Sequence, residues 1–477
     1  MHSIDLLVFV IYFAGMLGLG VYFYRKNKTD DDYYVGGRKM TAGHIGLSVV
    51  ATDVGGGFSI GLGGLGFTMG ISGSWMLFTG LIGAWLSSAF LIPKVYHTAK
   101  KKKMLSFPQA LNHYYDARVA LLAGIISLIG YLGFTSSQIL AGAKLATATF
   151  SSASFDLSLS TAVIIMGLIA VVYTVIGGLK AVIYTDSIQW VVLLVGLIGI
   201  GIPLGFLKIG GWEGLASVVD QKMLQLNHLR WSQGFNWLIT IVPIWFVGMT
   251  LYQRIYACKD QKTAVKAWRI AALFEWPLMA FMGVLLGLFA KVAFEQGMFT
   301  EMGYPPNSGI DAEMGLPLFL SKMLPIGLMG IMLSAYFSAI LSTADSCLMA
   351  ASGNLITDVF GGLSKNAKSS IKRSQLITLV LGFIAIFLAL QMQNVLELML
   401  HSYAFMVSGL FVPVLAMLSL KKPSPKAAIF SMLVGGFTTL ILITLSVDLP
   451  FQLDPNFFGI TLSGVSFMLV QKFNSPT

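Results

Sequence analysis

The sequence predicts an all-α polytopic membrane protein of about thirteen transmembrane helices. Three observations carry that prediction. Of 477 residues, 56% are hydrophobic and only 11% are charged, against about 25% charged in soluble domains. Apolar runs of bilayer-spanning length recur along the whole chain. Basic residues collect in alternate connections between those runs.

The first run, 4–24, has no Lys or Arg before it and Arg25, Lys26 and Lys28 after it. A cleaved signal has the opposite polarity, so this segment reads as a retained helix with its N-terminus outside. Further runs lie at about 43–70, 74–96, 119–148, 158–178, 187–207, 236–256, 270–293, 316–350, 375–391, 397–419, 427–447 and 457–471. Threading them from outside makes 25–40, 94–118, 179–186, 254–269, 358–373, 421–426 and the C-terminal tail cytoplasmic. Those segments hold 25 of the 31 Lys and Arg residues, as the positive-inside rule requires. The outer segment 294–315 is acidic, with Glu295, Glu301, Asp311 and Glu313. Lys100–Lys103 reads as a topology determinant that also touches anionic lipid. This placement accounts for the net charge of +10 without nucleic acid. The expected location is a plasma membrane, a bacterial inner membrane, with the C-terminus cytoplasmic.

Runs two to eleven divide into two fives, 43–207 and 236–419. Five is odd, so the halves face opposite ways, the arrangement of alternating-access secondary transporters. The rest is an extra N-terminal helix (4–24) and two peripheral C-terminal helices (427–471), giving one transporter domain over 1–477.

Within this apolar background one stripe stands out. Ala339, Ser342, Thr343 and Ser346 recur at helical spacing and share a face, with Asp345 beside them. A carboxylate in hydrocarbon costs about 2.5–3.5 kcal/mol and needs a cavity, a partner or an ion. The stripe suits a small hard cation. In the second run, Ala51-Thr52-Asp53-Val54-Gly55-Gly56-Gly57 places three poor helix formers, each about 1 kcal/mol worse than Ala, beside an intramembrane acid. That predicts a broken helix whose free carbonyls line a cavity; Gly61, Gly63, Gly64 and Gly66 fit close helix packing better. Gly61–Gly66 also matches G-x-G-x-x-G, but no strand precedes it, so the dinucleotide reading fails. Gly177 and Gly178 end one span and Asp186 opens the next. That acid either complements the helix dipole or stands on the inward path of an ion. Ser136, Ser137 and Gln138 bond either a substrate or a neighbouring helix. Pro243 is expected to break the seventh run beside Trp245, whereas Trp237, Trp268 and Trp276 read as interfacial anchors or packing. The tentative substrate set is Asp53, Gly55, Gly56, Gly57, Ser136, Ser137, Gln138 and Trp245. Cys258 and Cys347 make no disulfide framework, the six histidines have no metal-ligand spacing, and no nucleophilic triad is visible. An enzyme is the least expected reading.

These motifs resemble the sodium:solute symporters, the family of the proline, pantothenate, sialic acid, sugar, choline and iodide carriers. The resemblance covers nearly the whole chain and is most specific at Gly177–Gln189 and Ala339–Ser346. It implies a LeuT-type 5+5 inverted repeat, with the second run as the first core helix and the ninth as the eighth. It also implies a sodium site at Ala51 and Val54 (carbonyls), Ala339 (carbonyl), and Ser342 and Thr343 (hydroxyls). A second sodium site, found in some members, matches Asp186, Ser342, Asp345 and Ser346, although members with that site have Ser where this chain has Asp345. The segment Ala51–Gly57 is similar to the choline carriers in its glycines, and to the proline symporters in its acid. Asp53 either supports the sodium site or pairs with a substrate ammonium.

The resulting expectation is sodium-coupled uptake of a small polar solute, leaning to an amino acid or related nitrogenous compound, with sugars and organic acids open. The partners are the solute, sodium and membrane lipid, with no nucleic acid, and a monomer suffices. A solute-sensing receptor is disfavoured by the end of the chain at Thr477, about five residues after the last run. A channel is disfavoured because no symmetric filter loop is visible.

Overall fold

The computed structural model describes residues 2–26, 35–150, 157–176, 179–306, 308–360 and 371–474. Among them there is no β-strand, only an isolated bridge between Met40 and Cys258. The long apolar runs become α1 (Ser3–Lys26), α2 (Ala42–Met69) and α3 (75–102, with a widened turn at Ser87–Leu91). A short amphipathic α4 (Phe107–Tyr114), capped by Ser106, leads into α5 (Ala117–Phe150) and α6 (Leu159–Ile176). Then come α7 (Leu179–Gly196, continuing to Lys208), α8 (Gly211–Val218), α9 (Trp231–Val247), α10 (Met249–Ala257) and α11 (Gln261–Glu295). The chain closes with α12 (Ala312–Met323), α13 (Leu328–Gly353, continuing to Phe360), α14 (Ile371–Leu390), α15 (Val395–Ser419), α16 (Pro425–Thr444) and α17 (Pro455–Asn474). By length and composition, seven of the described helical segments can cross a membrane, or eight if the bent pair α9/α10 is one span.

Three boundaries differ from the sequence expectation. The run 316–350 is not one helix: it divides between α12 and α13. Pro325 disfavours helix at Leu324, and Gly327 takes φ +86° just before α13 starts. The seventh run bends by 44° at Gly248 rather than at Pro243. Pro243 is absorbed inside α9, and the chain turns where Gly248 adopts ψ 113° while its N–H still donates to Ile244 O at 2.8 Å. The segment 254–269, expected as a cytoplasmic loop, instead buries Arg254 in α10 and starts α11.

The second run does break, at one residue. Gly55 has φ 50° and ψ −173° inside α2, a region open essentially to glycine alone. A Cβ there would lie 2.8 Å from Thr343 Oγ1 and 3.2 Å from Gln138 Oε1. Gly55→Ala is therefore expected to destabilise the protein by about 1–3 kcal/mol, checked by thermal unfolding. Beyond the break, a Cβ on Gly66 would sit 2.1 Å from Val284 O, so α2 and α11 pack backbone to backbone there.

The core follows α13, which is buried along nearly its whole length and packs on α1, α2, α5 and α7. Its first turn is capped from a distance: Asp5 Oδ1, in α1, accepts from Gly327 N (2.7 Å) and Gly330 N (2.8 Å). Two donors that a helix start leaves unpaired are satisfied this way.

Candidate sodium and solute site

The break in α2 faces the polar stripe of α13. Thr343 Oγ1 is 2.9 Å from Ala51 O and 3.0 Å from Ala339 O, within donating range of both. Three oxygens of the expected set thus converge across two helices. Ser342 Oγ turns the other way and donates to Asp186 Oδ1 on α7. Carbonyl and hydroxyl oxygens without nitrogen or sulfur fit a hard cation. Val54, Asp53, Gly56 and Gly57 lie outside the described residues in all but their helical backbone, and Gly177 and Gly178 lie outside altogether.

Asp186 anchors a buried polar network. Its Oδ2 accepts from Ser48 Oγ at 2.5 Å and pairs with Arg254 Nη2 at 3.5 Å. Both charged side chains are fully buried. Arg254 spends its remaining donors on Ser48 Oγ (3.1 Å), Thr250 O (3.2 Å), Ser346 Oγ (3.2 Å) and Thr52 Oγ1. One guanidinium therefore ties α2, α7, α10 and α13 together. A planar fork of donors is suited to this, and a buried carboxylate needs such compensation.

Asp345 is placed apart from that network. Its Oδ1 accepts from Thr174 Oγ1 of α6, while Oδ2 is buried with no hydrogen-bond partner. The structure brings Asp186 to Ser342 and, through Arg254, to Ser346, but it hydrogen-bonds Asp345 to a different helix.

On the opposite side of the break, Gln138 of α5 borders Gly55. Ser136 and Ser137 return their hydroxyls to Leu132 O (2.7 Å) and Phe134 O (2.7 Å) of their own helix. Trp245 is fully buried, edge-on to Trp268 with ring centroids 6.2 Å apart and against Gly83, where it braces α9 on α3 and α11.

A model of the sodium:solute symporter family matches residues 33–435. The chain belongs to this family. It is 26% identical to the sodium/proline symporter of Escherichia coli, over 98% of this chain and 93% of that one. Against the high-affinity proline transporter of Bacillus subtilis it is 27% identical, over 94% of each. In fold it superposes on a substrate-bound, outward-open Na+-coupled sialic acid symporter with a TM-score of 0.80 and 22% identity, covering 99% of this chain and 98% of that one. This symporter is thus a multi-pass membrane protein that couples movement of a small solute to sodium.

Two cationic residues of the symporter were not singled out from sequence. Arg254 stands where the seventh run, 236–256, overlaps the cytoplasmic segment 254–269. Lys144 lies inside the fourth apolar run and is 1% exposed; it pairs with Asp311 at 2.5 Å and Glu313 at 2.6 Å. Glu313 also accepts from Val395 N (2.8 Å) and Leu396 N (2.9 Å), the start of α15, so it joins α5, α12 and α15. The available signal was the intramembrane lysine itself, which demands an acid partner. Glu313→Ala is expected to destabilise the symporter by about 3–5 kcal/mol, because it takes one of two carboxylates from buried Lys144 and unpairs the N–H groups of Val395 and Leu396. Asp311→Ala, at a carboxylate 39% exposed that also caps α12 by accepting from Glu313 N at 3.0 Å, should cost about 1–2 kcal/mol. Thermal unfolding of the two variants in detergent checks the contrast.

Glu313 borders a cavity of about 480 Å³ between α2, α9 and α15, reaching Gly61, Trp237, Glu397 and Asp454. A neighbouring cavity of about 780 Å³ shares Leu65, Trp237 and Asp454 with it, and together they form a vestibule along the C-terminal half of α2. Asp454 accepts from Asn236 Nδ2 at 3.1 Å, and burial pushes its carboxyl up to about 6.

Proposed function

We propose that this symporter drives uptake of an amino acid, with proline the leading candidate, by binding sodium at the break in α2. The ion would sit among Ala51 O, Val54 O, Ala339 O, Ser342 Oγ and Thr343 Oγ1. The observation that carries this reading is Thr343 Oγ1, within 3.0 Å of carbonyls on both α2 and α13. A cation held there ties the two helices together; its release frees them to part. The solute would lie beside the ion, between the Gly55 break and Gln138, with Asp53 and the Gly55–Gly57 segment next to it. The lean to an amino acid is supported by the proline relatives and by the acid at position 53.

A second sodium site at Asp186, Ser342, Asp345 and Ser346 completes the proposal. In the conformation described, Arg254 neutralises Asp186, so an ion passing this way exchanges with the guanidinium. For Asp345 to join, its side chain must leave Thr174.

The helices would form thirteen spans in one domain, with the N-terminus outside and the C-terminus cytoplasmic. The two inverted fives would be 43–207 and 236–419, and a single copy suffices. One ion moving down 100 mV and a tenfold gradient supplies about 2.3 plus 1.4 kcal/mol, enough for roughly several-hundred-fold accumulation; two ions square that ratio.

Uptake of labelled proline into proteoliposomes tests the reading. Accumulation that requires an inward sodium gradient and is competed by proline supports it. Sodium-dependent uptake of a sugar or organic acid, with none of proline, overturns the substrate while leaving the coupling. Uptake indifferent to sodium, with Thr343→Ala silent, overturns the site.

A further inference from the structure

A separate crevice lies on the far side of α13, between α1, α6 and α7. It has a volume of about 340 Å³ and is lined by Phe13, Leu168, Val172, Gln189, Ser338 and Leu341, among others, within the size range of small-molecule sites. Its mouth is set by Leu168, Ile169 and Val172, which are 42%, 42% and 56% exposed. In a membrane transporter such a belt of aliphatic side chains faces lipid. Among the described residues, no Lys, Arg, Asp or Glu lines the crevice.

Its interior holds one polar group with no hydrogen-bond partner. Gln189 Oε1 is buried, on a residue only 2% exposed. Ser338 Oγ, on a residue 3% exposed, faces the Tyr12 hydroxyl of α1 instead. Buried acceptors are rarely left unpaired, and the opening of this crevice is toward hydrocarbon. The missing donor therefore comes most readily from a bilayer molecule that carries one. Since the lining has no charge, a charged headgroup would be stranded.

We propose that the crevice binds a neutral, single-chain amphiphile with a terminal hydroxyl, such as a long-chain alcohol. The hydroxyl donates to Gln189 Oε1, and the chain leaves past Leu168, Ile169 and Val172. The placement gives the occupant leverage. Ser338 and Leu341 immediately precede Ala339 and Ser342 on α13, and Gln189 is one helical turn from Asp186 on α7. A molecule wedged there touches, from behind, both helices that carry the polar network, so occupancy and the packing of those helices are linked.

Photolabelling tests this independently of sodium binding. The symporter, in phosphatidylcholine nanodiscs, is irradiated with a trace of diazirine-bearing hexadecanol, and labelled peptides are mapped by mass spectrometry. Label is expected on 168–173 and around Gln189, protected by excess unlabelled hexadecanol, and weaker with the matching diazirine alkane. Gln189→Leu should lower the protectable fraction about tenfold, the scale of one hydrogen bond. Val172→Trp, which fills the mouth from the lipid side without touching the interior, should remove the label while the unfolding midpoint is unchanged. If Gln189→Leu fails to fold, the Val172→Trp and alkane arms decide. Label that unlabelled alcohol does not displace, that the alkane matches, or that survives Val172→Trp overturns the proposal.

Discussion

Thr343→Ala is expected to raise the sodium concentration for half-maximal uptake by roughly ten- to a hundredfold. The hydroxyl it removes lies within 3.0 Å of Ala51 O and Ala339 O. A hydrogen bond or dipole directed at a charged group is worth about 1.5–3 kcal/mol, which sets that range. The effect should fall on sodium rather than on solute: at saturating sodium, the solute concentration for half-maximal uptake should move little. Thr343→Ser keeps the oxygen and should keep most of the sodium affinity. Uptake measured over a sodium series for the three proteins checks this; an unchanged sodium dependence in Thr343→Ala would remove the residue from the site.

The second large effect concerns Asp186 and Arg254. Both are fully buried and 3.5 Å apart. Removing one partner leaves an uncompensated charge in a dry interior, typically at a cost of about 3–5 kcal/mol. Asp186→Asn or Arg254→Gln alone should therefore lower the unfolding midpoint and the yield of folded protein sharply. The double substitution removes both charges and keeps hydrogen-bonding groups near Ser48, Thr52 and Ser346. It should recover most of the stability without recovering coupled transport, because the carboxylate that would receive an ion is gone. Unfolding midpoints of the three variants, with sodium-driven uptake for the double, separate the structural cost from the functional one. Full recovery of transport in the double variant would make the pair a scaffold element only.

The all-helical membrane architecture was legible because burial in lipid imposes a simple rule: long apolar runs, with most of the charge in the connections. The break in α2 was legible for a related reason, since close packing through small residues accounts for three glycines but not for the acid beside them. What failed to read through were the partners. Asp186 was found, but its counter-charge sits 68 positions later, on a segment whose Lys-rich neighbours made it look like a loop. Arg254 stands in the last turn of the seventh apolar run, where local pattern cannot distinguish a snorkelling side chain from one turned inward. Lys144 was overlooked because an apolar average tolerates one lysine, whereas the energy of a buried ammonium does not. The stripe on α13 was read as one face, yet Ser342, Thr343 and Asp345 point to three different helices. Helical spacing gives direction to within a turn, and the identity of the neighbour decides the rest.

The contact between Asp5 and the start of α13 has a consequence for handling the protein. The first helix stands outside the proposed repeat, as if it were dispensable trim. Yet its carboxylate closes the amides of Gly327 and Gly330 and so terminates the dipole of the helix that bears Ser342 and Thr343. An affinity handle fused a few residues ahead of Asp5, or a fluorophore tethered there, would load that junction mechanically. Labels meant to leave the machine undisturbed belong elsewhere than at its amino-terminal end.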